Sequence, residues 1–270
     1  MAKILVTGSS GFIGSNIINH FKNDNVCLGV SKSNGVNIVD FASFNKIDFK
    51  ADIIIHCAAT FSNDYETAYD TNVTGTANIF KYAKKNKIPR VILISTISSF
   101  NNTENEYFNS YGKTKRLSEI VANDFSDKYG IDLTTLRLAQ IYDKERRAEQ
   151  SQAMLYGFMD RIVKDKKLVI YGKKNPLRNY VNINDVIKIV DDCVKNNVLG
   201  QYNVINPESQ TIEQVANIIF KSIEVKPNIR FDYDKKDILS IYIPDKDLYP
   251  TSFKYKTLTE GITEVLSYGR

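Results

Sequence analysis

The sequence predicts an α/β fold, a doubly wound parallel sheet with a smaller C-terminal α/β lobe. Short apolar runs alternate with segments whose apolar residues recur at helical spacing. The apolar runs are also continuous rather than alternating, as in strands covered by helices on both faces. A third observation is a glycine triplet between the first such strand and the first such helix.

The elements follow in order. KILVTG is a strand ended by glycine, and FIGSNIINHFKN a helix with Ile13, Ile17, Ile18 and Phe21 at helical spacing. VCLGV, VNIV and DIIIHCAA read as strands, the last buried on both faces. YETAYDTNVTGTANIFKYAKKN reads as one long helix with lysines at its end, where cations suit the dipole. VILIST is another buried strand. NSYGKTKRLSEIVANDFSDKYG is a helix closing at Gly130, and DLTTLRL a strand. After about residue 140 the rhythm changes. SQAMLYGFMDRIVKDKK, DVIKIVDDCVKNN, TIEQVANIIFKSI and LTEGITEVLSYG read as helices, and LVIYG and QYNVI as short strands, with looser strands before the last helix. The expected division is a sheet domain over residues 1–140, which also receives part of 175–205, and a small lobe over 141–270.

Composition narrows the function classes. The chain of 270 residues is 43% hydrophobic and 25% charged, with ample core and a net charge of only +5. Its lysines are scattered among acids, which argues against a nucleic-acid partner. Cys27, Cys57 and Cys193 lie in apolar runs without paired spacing and read as buried thiols. Neither His20 nor His56 has a plausible metal-ligand neighbour, so no metal is expected. No run reaches the ~18 apolar residues of a membrane span. The N-terminus enters a strand at once, so we expect no signal peptide, no membrane partner and a cytoplasmic protein.

TGSSGFIG carries Gly8, Gly11 and Gly14 at the mouth of the first helix. Glycine removes the Cβ that would hold a pyrophosphate away from the backbone, and a helix N-terminus supplies N–H donors and a positive dipole end. Ser10, Phe12 and Ile13 complete the expected loop contacts. Further on, Tyr111 and Lys115 stand four residues apart, on one face of their helix and off the apolar stripe of Leu117, Ile120, Val121 and Phe125. Alone, such a pair reads as a solvated surface pair.

The glycine loop, DIIIHCAA, NVTGT (residues 72–76), VILIST and the Tyr111–Lys115 pair, in that order, resemble the extended short-chain dehydrogenase/reductase family of nucleotide-sugar epimerases, dehydratases and reductases. LRNYVNINDV (177–186) resembles that family's second-lobe motif, so the resemblance covers nearly the whole chain. It implies a Rossmann-type dinucleotide-binding domain and makes Tyr111 the acid–base residue. Lys115 would lower the phenol's pKa and hold the nicotinamide ribose. Thr96 would bond the reacting oxygen, with Ser95 as the fallback and a turn-capping threonine as the bland reading. Asp40 would accept the adenine amino group beside Phe41, or cap the helix of FASFNK. Ala58, Ala59 and Thr60 would line the cofactor. Gln140 would contact substrate, and Arg178 would grip the nucleotide diphosphate or else form an inter-lobe ion pair. Arg146 and Arg147 sit in a loop near the cleft.

Departures from the family pattern narrow the reaction. Thr96 is followed by Ile97, Ser98 and Ser99, without the acid pair of the 4,6-dehydratases or the cysteine of the epimerase-reductases. The second lobe is short for the family. The favoured expectation is a 4-keto-sugar reductase acting on a nucleotide sugar. The alternatives are a 4-epimerase holding NAD tightly and, behind it, a non-catalytic dinucleotide sensor or scaffold. Past the second strand the chain reads Ser31, Lys32, Ser33, Asn34, with no acid to repel a 2′-phosphate, so NADP(H) is favoured over NAD(H). The family pattern implies a homodimer through the two long helices that hold Asn72 and Tyr111.

Overall fold

The computed structural model describes residues 1–268. The N-terminal half builds β1 (Lys3–Thr7), α1 (Phe12–Phe21), β2 (Val26–Val30), β3 (Ile53–His56), α2 (Tyr65–Tyr69), α3 (Gly75–Lys85), β4 (Arg90–Thr96), α4 (Ser110–Tyr129) and β5 (Asp132–Leu138). There follow β6 (Gln140–Tyr142), α5 (Ala153–Asp165), β7 (Leu168–Tyr171), β8 (Leu177–Arg178), β9 (Tyr180–Asn182) and α6 (Ile183–Asn196). The chain continues through β10 (Gly200–Val204), β11 (Gln210–Thr211), α7 (Ile212–Ser222), β12 (Ile229–Asp232) and α8 (Leu258–Ser267). Gly269, the last residue of LTEGITEVLSYG, lies outside the described residues.

Six strands form one parallel sheet in the order β10-β5-β4-β3-β1-β2. The strands are apolar on both faces because both faces are covered. Ile4, Val6, Ile53, Ile55, Ile92 and Ile94 pack with Ile17 of α1 and Val186 and Ile189 of α6. Their neighbours Leu5, Ile54, Val91 and Leu93 point the other way, onto Ile79 and Phe80 of α3 and Ala122 of α4. A separate core joins Leu155 and Met159 of α5, Ile170 of β7, Val215 and Ile219 of α7 and Ile262 of α8. The Rossmann-type doubly wound parallel sheet expected from the sequence is the fold observed.

Two elements depart from expectation. VNIV forms no strand. Val36 and Ile38 are buried, but the chain turns there, with Asp40 N–H bonded to Asn37 O (3.0 Å) and Asn37 N–H to Ser43 Oγ (3.0 Å). Side-chain bonds of this kind compete with a ladder. The long helix expected from Tyr65 onward is interrupted by a π turn at Asp70–Thr74, within the NVTGT stretch. Periodicity cannot reveal one extra residue in a turn.

Candidate active site

The site is built at the C-terminal ends of the parallel strands, where ligands lie in open α/β sheets. Gly8 leaves β1 with φ +65°, and a Cβ there would stand 2.7 Å from Ala58 backbone. A Cβ on Gly14 would stand 2.3 Å from Gly8 O, so both positions admit only glycine at this spacing. Gly11 is the N-cap of α1 and brings no capping side chain. The first-turn N–H groups, Phe12 and Ile13 among them, are therefore left for a ligand. This cradle fits a pyrophosphate. Ser10 belongs to it, and Ala58, Ala59 and Thr60 form the neighbouring loop after β3.

Ser31 is buried beside β2, and its hydroxyl pairs with that of Ser33 (2.8 Å). Lys32 is exposed. Asp40 uses its carboxylate to cap a short helical turn through Ala42 N–H (3.0 Å), and Phe41 beside it is exposed.

Tyr111 reaches Thr96 because of two features of α4's first turn. Asn109 accepts from the N–H groups of Tyr111 (3.1 Å) and Gly112 (3.3 Å), a side-chain cap that starts the helix there. Gly112 then lets the turn press on the 97–99 turn, since a Cβ would sit 2.3 Å from Ser98 O. Tyr111 is half-buried, with its ring against exposed Phe61 (4.3 Å between centroids). Burial pushes the phenol above its ordinary range, and a hydrogen bond with Thr96 opposes that only in part. Thr96 also accepts from Ser98 N–H (3.1 Å), so it caps the turn that follows β4.

Lys115 is 2% exposed and donates to Ile94 O (2.8 Å). Burial lowers its pKa to about 8, against the charges of Glu119 and Cys57, which raise it. In this arrangement burial dominates the phenol and drives it up, while the Lys115 ammonium is turned to a carbonyl on β4.

A buried polar frame supports the pair. Asn72, in the π turn, donates to Thr60 O (3.1 Å) and Thr114 Oγ1 (2.9 Å) and accepts from Thr60 N–H (2.9 Å). It ties the loop after β3 to α4. His56 lies between Thr7 (2.7 Å) and Thr76 (3.1 Å), and burial, then the Lys115 charge, lowers its pKa to about 3. Burial also pushes the Cys57 thiol up to about 12.

On β8 Arg178 is fully buried. It donates to Leu177 O (2.8 Å) and Leu239 O (2.6 Å), and its partners are carbonyls rather than an inter-lobe carboxylate. Its Nε, the Tyr180 hydroxyl, Gln140 Oε1 and Gln210 Oε1 are buried without a partner. Gln140 donates to Gln152 Oε1 (3.4 Å). Arg147 donates to Ser15 Oγ of α1 (2.7 Å), while Arg146 pairs with Asp160 and Glu149. Asn109, Gly112, Asn72, His56 and Glu119 were given no role from sequence. The Asn–Ser start of α4, the place of Asn72 in NVTGT and the spacing of Glu119 from Lys115 carried a signal. Among the described residues, no helix is long and apolar enough to cross a membrane.

Residues 4–206 match the model of the NAD dependent epimerase/dehydratase family. A putative UDP-glucose 4-epimerase of Methanocaldococcus jannaschii is 26% identical over 300 residues, covering 98% of this chain and 97% of its own. The UDP-glucose 4-epimerase of Thermotoga maritima, solved with UDP-glucose, superposes with TM-score 0.80 at 20% identity and 98% coverage of both chains. That of Thermus thermophilus, solved with NAD, gives 0.74 at 19% identity, again covering 98% of each.

Proposed function

The chain belongs to the NAD dependent epimerase/dehydratase family, the extended short-chain dehydrogenase/reductases, and is an enzyme dependent on a nicotinamide dinucleotide; from that premise we propose that it moves hydride at C4 of a nucleotide-activated sugar, foremost as a 4-epimerase. The observation that carries this reading is the convergence of Tyr111 and Thr96 at the end of β4, with Lys115 behind them and neither acid nor thiol in the 97–99 turn. Elimination of water would ask for an acid there. Hydride transfer asks only for one group that exchanges a proton with the C4 oxygen.

Gly8, Ser10, Gly11, Phe12, Ile13 and Gly14 would hold the pyrophosphate, Asp40 and Phe41 the adenine, and Ala58, Ala59, Thr60 and Lys115 the nicotinamide side. When bound, the nicotinamide accepts and supplies hydride. Thr96 orients the C4 oxygen by a hydrogen bond. Tyr111 takes the hydroxyl proton as the ketone forms and returns it as the alcohol is restored. The neutral phenol favoured by burial suits the returning step. The phenolate needed for the forward step is favoured when the Lys115 charge is brought nearer. Gln140 and Arg178 would contact substrate, the diphosphate replacing Leu239 O on Arg178. The relative that matches along nearly its whole length supports epimerisation.

A second reading, reduction of a 4-keto sugar with NADP(H), is favoured by the Ser31–Lys32–Ser33 rim, which has no acid. Mass analysis of incubations with nucleotide sugars and their 4-keto derivatives separates the two. An epimerase leaves mass unchanged and consumes no added cofactor, whereas a reductase adds two hydrogens and consumes it. No turnover of either kind would remove both. A homodimer through the helices that hold Asn72 and Tyr111 is the expected assembly, supported by exposed Ile120 on α4 and by exposed Tyr65 and Tyr69 just before the π turn. Sedimentation showing only monomer at micromolar concentration would count against it.

A further inference from the structure

Glu119 stands one helical turn beyond Lys115 on α4 and is 1% exposed. A carboxylate taken out of water costs several kcal/mol unless it is paired and hydrogen-bonded. Here both oxygens are supplied. Oε1 accepts from Ser95 Oγ (2.5 Å), from Ser99 Oγ (2.9 Å) and from Arg137 Nε (3.1 Å). Oε2 accepts from Arg137 Nε (3.1 Å) and Nη2 (2.8 Å) and from Arg116 Nη1 (3.2 Å). Burial raises its pKa, but the bonds and charge of Arg137, then Ser95 and Ser99, outweigh that and hold it below the usual range.

An ion pair kept only for packing would need Arg137 alone. The two serines are the informative part, because they flank Thr96. The Ser99 hydroxyl shares its one proton between Glu119 and Thr96 O, which lies 2.7 Å away. Glu119 therefore grips the strand end and the turn on either side of Thr96. Its charge also reaches Lys115. The groups facing Lys115 are Glu119 from α4, His56 and Cys57 at the end of β3, and Ile94 O of β4. Those facing Glu119 are Arg116 from α4, Arg137 from β5, which passes on to Gln201 of β10 (2.7 Å), and the two serines.

We propose that Glu119 is a positioning residue for the reaction, tying the turn that carries Thr96 to the helix face that carries Tyr111 and Lys115 and keeping a negative charge beside Lys115. It rests on the proposed hydride chemistry only for its activity readout.

The test titrates the Lys115 ammonium by nitrogen NMR in 15N-lysine-labelled protein, alongside turnover against pH. Lys115 acts protonated, so turnover falls as pH rises through its pKa. Glu119→Gln removes the charge, so the ammonium should lose its proton at a pH lower by about one unit, and the alkaline limb of turnover should move with it. Glu119→Asp keeps the charge but shortens the reach. It should leave the titration near that of the parent while lowering turnover about tenfold, through mispositioning. Ser95→Ala/Ser99→Ala should lower turnover likewise with the titration unmoved. Unchanged titration and pH profile in Glu119→Gln would overturn the proposal. Should Glu119→Gln not fold, parental turnover in the double serine variant would do so. A Tyr111→Phe protein that still turns over would sink the hydride chemistry and leave the NMR titration to decide on Glu119.

Discussion

Two regions of this molecule bury polar side chains in opposite ways. Between β3, β4 and α4, the side chains of Asn72, His56, Thr76, Lys115 and Glu119 each meet partners at 2.5–3.1 Å. Asn105 Oδ1, nearby, is an exception. Between β6, β8, β9 and β11, Gln140, Arg178, Tyr180 and Gln210 each keep a polar atom without one. An unpaired buried group costs roughly 1–3 kcal/mol, so a cluster of them is retained against stability. The first region is finished before any ligand arrives, as a preorganised reaction site should be. The second has polar capacity to spend on what it binds.

The predictions break or sharpen that contrast. The largest effect belongs to the finished region. Tyr111→Phe should leave dinucleotide binding nearly intact and lower turnover by at least ~10²-fold, because only the proton path is lost. Titration of the dinucleotide beside steady-state turnover checks both halves, and turnover within a few-fold of the parent sinks the assignment. Thr96→Val should cost less, in the same chemical step.

His56 makes the first region acid-sensitive. Its pKa is about 6.5 unfolded and about 3 folded. Between those values the unfolded chain binds more protons, so stability is full above about 6.5 and is lost as pH falls. By pH 4.5 the loss from this group is on the order of 2–3 kcal/mol. Urea midpoints at pH 7.5 and 4.5 should therefore differ more in the parent than in His56→Asn. Equal pH dependence in the two proteins would show that His56 is not the group.

Arg178→Ala tests the second region. Nucleotide-sugar affinity should fall by about an order of magnitude or more while the dinucleotide is spared, since a charge-assisted bond contributes roughly 1.5–3 kcal/mol. Calorimetry with both ligands decides. Equal weakening would mean that Arg178 serves lobe packing through Leu177 O and Leu239 O.

The smallest expected effect is at the cofactor rim. Lys32→Glu should move the NADPH-to-NADH affinity ratio toward NADH several-fold, as exposed pairs contribute at most about 1 kcal/mol. Direct titration of both reduced cofactors checks it. A parent that prefers NADH, or an unchanged ratio, would remove the reductase reading's main support.

What was legible in the sequence follows the same division. Ile53–His56 and Arg90–Thr96 were readable as strands because burial on both faces leaves a continuous apolar run. The glycine loop was readable because two of its glycines lack room for a methyl group. Tyr111 and Lys115 were visible as a helical pair, but their electrostatics were not, since these depend on how deeply α4 presses onto β4. Glu119 shares the Lys115 face, yet its partners come from β4, β5 and the 97–99 turn, which no local pattern joins. The surroundings of Arg178 were hidden for a related reason. Leu239 lies 61 residues away in an irregular segment without periodicity.

The π turn at Asp70–Thr74 has a consequence for changes in chain length. A one-residue deletion there would restore a regular α-helix, a gain by local criteria. It would also swing everything before it by about 100° relative to α3, the angle one residue occupies on a helix. Asn72 could then no longer face Thr60 and Thr114 together, and Tyr65 and Tyr69 would leave the surface they occupy. The helix is thus sensitive to residue count at this turn, and a shortened homologue should be looked for with its loop after β3 rebuilt.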